Sequence, residues 1–181
     1  MHGLIFAELK KFVDAQLGTG AWTNLLQKSG LSAKTYVAVQ EYPDAEIVAL
    51  VTTASQLTSI PVPDLLEAFG RFIVPDLLKS YGALLDKKWK TLDVIEHTEN
   101  TIHRVVRLRN PGAKPPELVC RRPSEDEVMI HYASPRKMCS VAKGIARGVA
   151  DHFSEQVEIS ELSCMHNGGS SCEISVRVVV P

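Results

Sequence analysis

Apolar side chains recur at helical spacing through most of the N-terminal half. From Gly3 to Leu17 they stand at Leu4, Ile5, Leu9, Phe12, Val13 and Leu17, close to the period of an amphipathic helix. Gly18-Thr19-Gly20 ends that segment, and Ala21 to Lys28 reads as a second, short helix that closes near Gly30. A third covers Ala45 to Leu57. Ile60-Pro61-Val62-Pro63-Asp64 has turn chemistry, with Asp64 as the N-cap of a helix from Leu65 to Phe72. A proline inside a helix removes a hydrogen bond and clashes with the preceding turn, so Pro75 predicts a break or kink between Ile73 and Asp76. Leu77 and Leu78 then resume the pattern.

Thr91 to Leu108 is the next helical segment. At 100° per residue, Leu92, Ile95, Ile102, His103 and Val106 fall on one narrow stripe, and His97 falls near the opposite side. The pattern therefore buries His103 and exposes His97. Glu99 interrupts the stripe. Asn110-Pro111-Gly112-Ala113-Lys114-Pro115-Pro116 forms a rigid turn, and beyond it the texture changes. Leu118–Arg122, Val128–Ser134, Val157–Ser163 and Cys172–Val180 alternate or are β-branched, as strands are. One helix, Met138 to Phe153, separates the second strand from the third. Its apolar positions are Val141, Ala142, Ile145, Ala146, Val149 and Phe153, and Gly144 and Gly148 would admit another backbone or a flat ligand. The expected class is α+β: a helical N-terminal part (about 1–60), then a helix-and-sheet part (about 61–181) whose four antiparallel strands carry helices on one face.

Composition narrows the function classes. The chain has 181 residues, 45% hydrophobic, with 20 basic against 21 acidic side chains. That suits one domain with a sizeable core. A balanced charge provides no basic field to gather nucleic acid or anionic lipid. No apolar run reaches the roughly 20 residues of a membrane span, and the start lacks signal-peptide chemistry, so a cytoplasmic location is expected. Four cysteines without an export signal point to a reducing compartment, where thiols stay free or bind metal.

Two local patterns carry chemistry. In Ile130-His131-Tyr132-Ala133-Ser134-Pro135-Arg136, alternation turns Tyr132, Ser134 and Arg136 the same way over about 13 Å. A phenol, a hydroxyl and a guanidinium in a row suit a ligand with two separated carboxylates; the alternative is a solvated strand face with a Tyr-Arg stack. His103 is either a core histidine bonded to a carbonyl or an axial ligand to a metal or heme iron.

Taken together, His103 nine residues before Gly112, the Pro115-Pro116 pair and Tyr132-x-Ser134-x-Arg136 resemble the heme–nitric oxide/oxygen-binding family, H-NOX, which includes the sensor domain of soluble guanylate cyclase. The resemblance spans essentially the whole chain. It implies heme b with His103 as the proximal iron ligand and Tyr132, Ser134 and Arg136 holding the propionates. It also implies that Pro116 presses on the porphyrin and keeps it non-planar. The distal pocket would take in Ile5, Leu9, Ile73 and Val141. Family members that bind oxygen stably place a tyrosine hydroxyl there, because a donor stabilises the partial negative charge on bound oxygen. The matching position is Val141, and the other polar distal positions correspond to Leu9 and Ile73. Selective binding of nitric oxide and CO is expected, unless Tyr36 or Tyr81 enters from elsewhere.

Cys164-Met165-His166 and Cys172, with Cys139 at the start of the preceding helix, offer a Cys₃His set for tetrahedral zinc. An exposed hairpin with incidental thiols, or cysteines packed as small hydrophobes, would use the same residues. A subset of stand-alone bacterial H-NOX proteins looks like this at the C-terminal end and is associated with zinc. Cys120 reads as a strand-core residue. No catalytic constellation stands out, so a sensor and not an enzyme is expected. The resemblance implies output in trans, to a histidine kinase or a cyclic-di-GMP enzyme. A heme-independent zinc/thiol redox sensor is the second reading. A small-molecule binding module resembling the 4-vinyl reductase type is the third, and it leaves His103 and the clamp unexplained.

Overall fold

The structure is a computed structural model that describes residues 1–179 except Ala33 and Pro111. Seven α-helices and four strands follow one another among the described residues. They are α1 (Gly3–Leu17), α2 (Ala21–Lys28), α3 (Asp44–Thr58), α4 (Val62–Tyr81), α5 (Thr91–His97), α6 (Arg104–Arg109), β1 (Glu117–Ser124), β2 (Glu127–Ala133), α7 (Cys139–Phe153), β3 (Gln156–Ser163) and β4 (Cys172–Val179). This is the expected α+β class. The turn over 110–116 includes Pro111, and the last strand was expected to reach Val180; both residues lie outside the described ones.

Two segments depart from the sequence pattern for identifiable reasons. The prolines at 61, 63 and 75 do not break α4. The helix starts at Val62 with Pro61 as its N-cap and Pro63 in its first turn, where a missing N–H costs nothing, and Asp64 sits in that turn instead of capping it. Pro75 is accommodated inside the helix, which runs on to Tyr81. The carbonyl such a proline leaves without its helical donor is that of Arg71, and it faces Gly148 of α7 so closely that a Cβ there would stand 2.9 Å away. The stretch after Thr91 is also not one uniform helix. A π-turn over Glu99–His103, in which the His103 N–H reaches back to the Thr98 carbonyl at 3.0 Å, separates α5 from α6. His97 is half-buried instead of exposed, because Trp89 stacks on it at 4.6 Å and its Nδ1 meets the Asp93 carbonyl at 2.9 Å.

The strands form one antiparallel sheet in the order β1-β2-β4-β3. Register aligns apolar rows across it: Leu118–Tyr132–Cys172, Cys120–Ile130–Ile174 and Val128–Val176–Ile159. That face is covered by α5 over β1 and β2 and by α7 over β3 and β4. A second core belongs to the N-terminal helices, where Phe6, Leu9, Phe12, Trp22, Leu25, Ile47 and Leu50 pack with Leu66, Phe69 and Ile73 of α4. No single helix among the described residues is long and apolar enough to cross a membrane; α3 and the helix after it meet at 110°.

The two cores join where α4 lies against α7. Gly144 faces the Glu67 carbonyl and the Arg71 nitrogen, Gly70 faces the Val141 carbonyl, and Gly148 faces Val74. A Cβ on Gly144 would collide with the Glu67 oxygen and come within 2.9 Å of Arg71 N. Both obstacles are backbone, which can yield only if the helices part. Gly144→Ala is therefore expected to cost about 1–3 kcal/mol of stability in urea unfolding. Gly82→Ala, at φ −59 with nothing within 4 Å, should leave stability within about 1 kcal/mol of the parent.

Candidate functional site

His103 is the last residue of the π-turn, and its side chain is 14% exposed. Its Nδ1 lies 2.9 Å from Glu99 Oε2. An ionised carboxylate can only accept, so in the neutral ring this bond keeps the proton on Nδ1 and leaves the lone pair on Nε2. Burial pushes the imidazole toward its neutral form, against the pull of Glu99 and of the Pro116 carbonyl. Burial also works against the Glu99 charge, but hydrogen bonds from His103 and Arg107 outweigh it and hold that carboxyl below its ordinary range. The acidic interruption of the apolar stripe is thus the histidine's own partner. Its i, i+4 spacing was the available signal.

Tyr132 ends the core-facing row of β2 and is buried, as is Ser134 just beyond it. Burial raises the Tyr132 phenol above its ordinary pKa despite the neighbouring Ser134 and Arg136. Ser134 Oγ accepts the Arg136 backbone N–H at 3.3 Å, closing a turn at the strand's end. The Arg136 side chain is 10% exposed; it donates to the Lys114 carbonyl and lies 3.5 Å from Asp44 Oδ2. Asp44 also holds the chain's amino group at 2.6 Å. Nothing in the sequence announced Asp44, which sits 92 residues from its arginine.

The structure brings His103 and the clamp together through two links. Glu99 Oε2 accepts the Leu118 N–H at 3.3 Å, and Leu118 is the cross-strand partner of Tyr132. Arg136 in turn anchors the 110–116 turn through Lys114. Pro116 ends that turn, one residue before β1. Leu9 and Ile73 lie buried in the N-terminal core, and Ile5, Met138 and Val141 pack against it. The Tyr36 hydroxyl donates to Glu46 Oε2 at 2.8 Å, with its ring stacked on Phe6. Tyr81 is the last residue of α4.

At the N-terminal end of α7, Cys139, Cys164 and Cys172 converge. Cys164 Sγ lies 3.8 Å from Cys139 Sγ and 3.7 Å from Cys172 Sγ. Ligands at a Zn–S bond length of 2.3 Å define a tetrahedron of edge about 3.8 Å. The fourth group within 4.8 Å is Glu161, not His166. His166 Nε2 instead meets the Lys137 carbonyl at 2.7 Å, because the short 3₁₀ turn over Met165–Asn167 swings the ring away from the thiols. Burial pushes the Cys139 and Cys164 thiols up. Burial also opposes the Glu161 charge, yet hydrogen bonds from Cys164 and Lys143 prevail and keep it ionised. Glu161 carried no signal in the sequence beyond its place three residues before Cys164. Cys120 faces the sheet core, its thiol pushed up to about 11 by burial.

The donor set fits an iron porphyrin: one imidazole with its Nδ1 already committed, two buried hydroxyls and a nearly buried guanidinium for carboxylates, and an apolar group from α1, α4 and α7. The comparisons with known proteins agree in kind. The soluble guanylate cyclases gcy-33 and gcy-35 of Caenorhabditis elegans are 25% identical over 138 residues and 23% over 160 residues, covering 75% and 83% of the chain. The chain spans only 14% and 22% of their lengths. An H-NOX protein from S. oneidensis in the Fe(II)NO ligation state superposes with a TM-score of 0.92 at 28% identity, covering 99% of this chain and 100% of that one. The Shewanella oneidensis domain in the Fe(II)CO state gives 0.89 at 28%, covering both chains fully. An unliganded H-NOX protein from K. algicida, at 23% identity, covers 100% of this chain and 98% of its own with a TM-score of 0.89, and so shares the fold. Residues 2–161 match the family described as Haem-NO-binding, and the chain belongs to that family.

Proposed function

We propose that the chain is a heme-based nitric oxide sensor that regulates a separate signalling protein through His103. The observation that carries this reading is the apolar group of Ile5, Leu9, Ile73 and Val141; among the described residues the tyrosines packed against that core are Tyr36 and Tyr42, and both have their hydroxyls engaged elsewhere. Tyr36 is bonded to Glu46, and Tyr42 is bonded to the loop over 35–40. Bound oxygen gains from a donor and NO has little need of one, so such a pocket favours NO and CO. The S. oneidensis domain, solved in Fe(II)NO and Fe(II)CO states, supports the same two ligands.

A bound heme b would supply an iron that takes up the gas, and His103 Nε2, held in orientation by Glu99, would hold that iron. Tyr132 and Ser134 donate O–H bonds to the propionates, and Arg136 turns its fork from Asp44 toward them. Pro116 bears on the porphyrin. On this reading NO would weaken or break the bond between His103 and the iron, and α5 and α6 would move with the released ring. The helical part (about 1–60) then shifts against the remainder (about 61–181), a change in contacts that a partner can read. A histidine kinase or a cyclic-di-GMP enzyme is the partner this reading assigns.

Cys139, Cys164, Cys172 and Glu161 bind zinc in the same proposal, with Glu161 replacing His166 as the fourth ligand. The zinc ties α7 to the β3–β4 hairpin. The approach of Cys164 Sγ to the Cys139 and Cys172 sulfurs also favours a second reading, in which a peroxide, as two-electron oxidant, would couple two of the thiolates into a disulfide and release the zinc as a signal.

Absorption spectra of the dithionite-reduced protein test the main reading. The expected result is a five-coordinate ferrous heme that shifts with NO and with CO and forms no oxy complex in air. A stable oxy complex would overturn the selectivity, and failure to take up heme would overturn the sensor. His103→Gly, loaded with heme, should regulate the partner as the NO-bound parent does; regulation like that of the unliganded parent would sink the relay. Metal analysis of protein purified without chelator should give one zinc per chain, lost in Cys172→Ser and kept in His166→Ala. Zinc lost in His166→Ala and kept in Glu161→Ala would reverse the assignment of the fourth ligand.

A further inference from the structure

Glu99 is half-buried, and both of its carboxylate oxygens are engaged. Its Oε2 accepts from His103 Nδ1 at 2.9 Å and from the Leu118 N–H at 3.3 Å, while Oε1 accepts from the Arg107 guanidinium. One carboxylate thus joins the π-turn, α6 and the edge of the sheet. The π-turn is part of the arrangement, since it sets Glu99 and His103 at its two ends. Such turns are rare and gather at functional sites.

We propose that Glu99 and Arg107 together set the electron-donor strength of His103 toward the heme iron, and with it the ease with which NO breaks that bond. The inference rests on His103 being the axial ligand. A carboxylate accepting the Nδ1 proton gives the imidazole partial imidazolate character and makes Nε2 a stronger donor. Arg107 draws on the other oxygen of the same carboxylate and so restrains that effect. The two side chains act in opposite directions on one nitrogen, and neither touches the iron. Both are positioning residues.

The pair of opposed effects makes the proposal testable in the heme-loaded protein. Glu99→Gln keeps the shape and an acceptor oxygen but removes the charge. Resonance Raman spectra of the reduced, unliganded protein should show the iron–histidine stretch at lower frequency, and the heme midpoint potential should become more positive. Under excess NO, conversion from six- to five-coordinate heme should be faster by about 10-fold or more, the usual scale of a change behind a metal ligand. Arg107→Met, which frees the carboxylate, should move the stretch and the potential the other way and slow the conversion. Glu99→Asp should restore part of the parental frequency. Loss of stability alone would move none of these readouts in opposite senses. Unchanged stretch and potential in Glu99→Gln, or shifts of the same sign in both variants, would overturn the proposal while leaving His103 as ligand. An iron–histidine stretch that persists in His103→Gly would instead remove the reading on which it rests.

Discussion

The backbone contact between α4 and α7 is the constraint on which the rest of the molecule depends. Gly70 and Gly144 let the two helices approach backbone to backbone, and Gly148 makes room for Val74. α4 turns Leu66, Phe69 and Ile73 into the N-terminal core, while α7 turns Ala146 into the sheet core. Val74 and Val149 bury a smaller cluster with Val94 of α5 along the same seam. Arg71–Asp151 and Arg147–Glu67 ion pairs flank the glycines on the surface. Exposed pairs of this kind add little, and the close packing carries the energy.

Around that seam, polar links do what apolar packing does not: they fix orientation. Arg136 reaches from the end of β2 to Asp44 at the start of α3 and to the turn after α6. The seam joins the N-terminal core to the sheet core through α4 and α7, and this arginine ties α3 of the N-terminal core to the end of β2. On the proposed reading, a propionate would reach a guanidinium that already holds an anion. Loading the heme is then an exchange of counter-ions, and the apo chain carries no unpaired buried cation at that spot.

Most of the architecture was legible because its signals are local and periodic. The strand limits, α1, α2 and α7 follow from alternation, helical spacing and glycine stops. α4 was misread because helix-breaking rules describe an isolated helix. Here Pro61 and Pro63 fall where no donor is needed, and the space beside Gly148 accepts the carbonyl that Pro75 leaves behind. Tyr132, Ser134, Arg136 and His103 were singled out in the sequence by the pattern they form. Their partners were less legible. Asp44 is distant in sequence, and Glu161 was passed over in favour of His166, whose residue type suits zinc but whose ring bonds to Lys137. Glu99 was visible as an anomaly whose meaning needed three dimensions.

The π-turn beside His103 has a mechanical meaning beyond the bond it supports. An extra residue in a helical turn is slack of fixed size. Were it expelled, α6 would rotate by about 100° and draw in by about 1.5 Å relative to α5, since those are the steps of one helical residue. On the proposed reading, a force applied at the imidazole would act on this turn first. Arg107 lies beyond the turn and Asp93, which holds Arg122 of β1, lies before it, so a change of register would be felt on both sides of the ligand. On the proposed reading, loss of the bond at His103 would be read out as a displacement of set length.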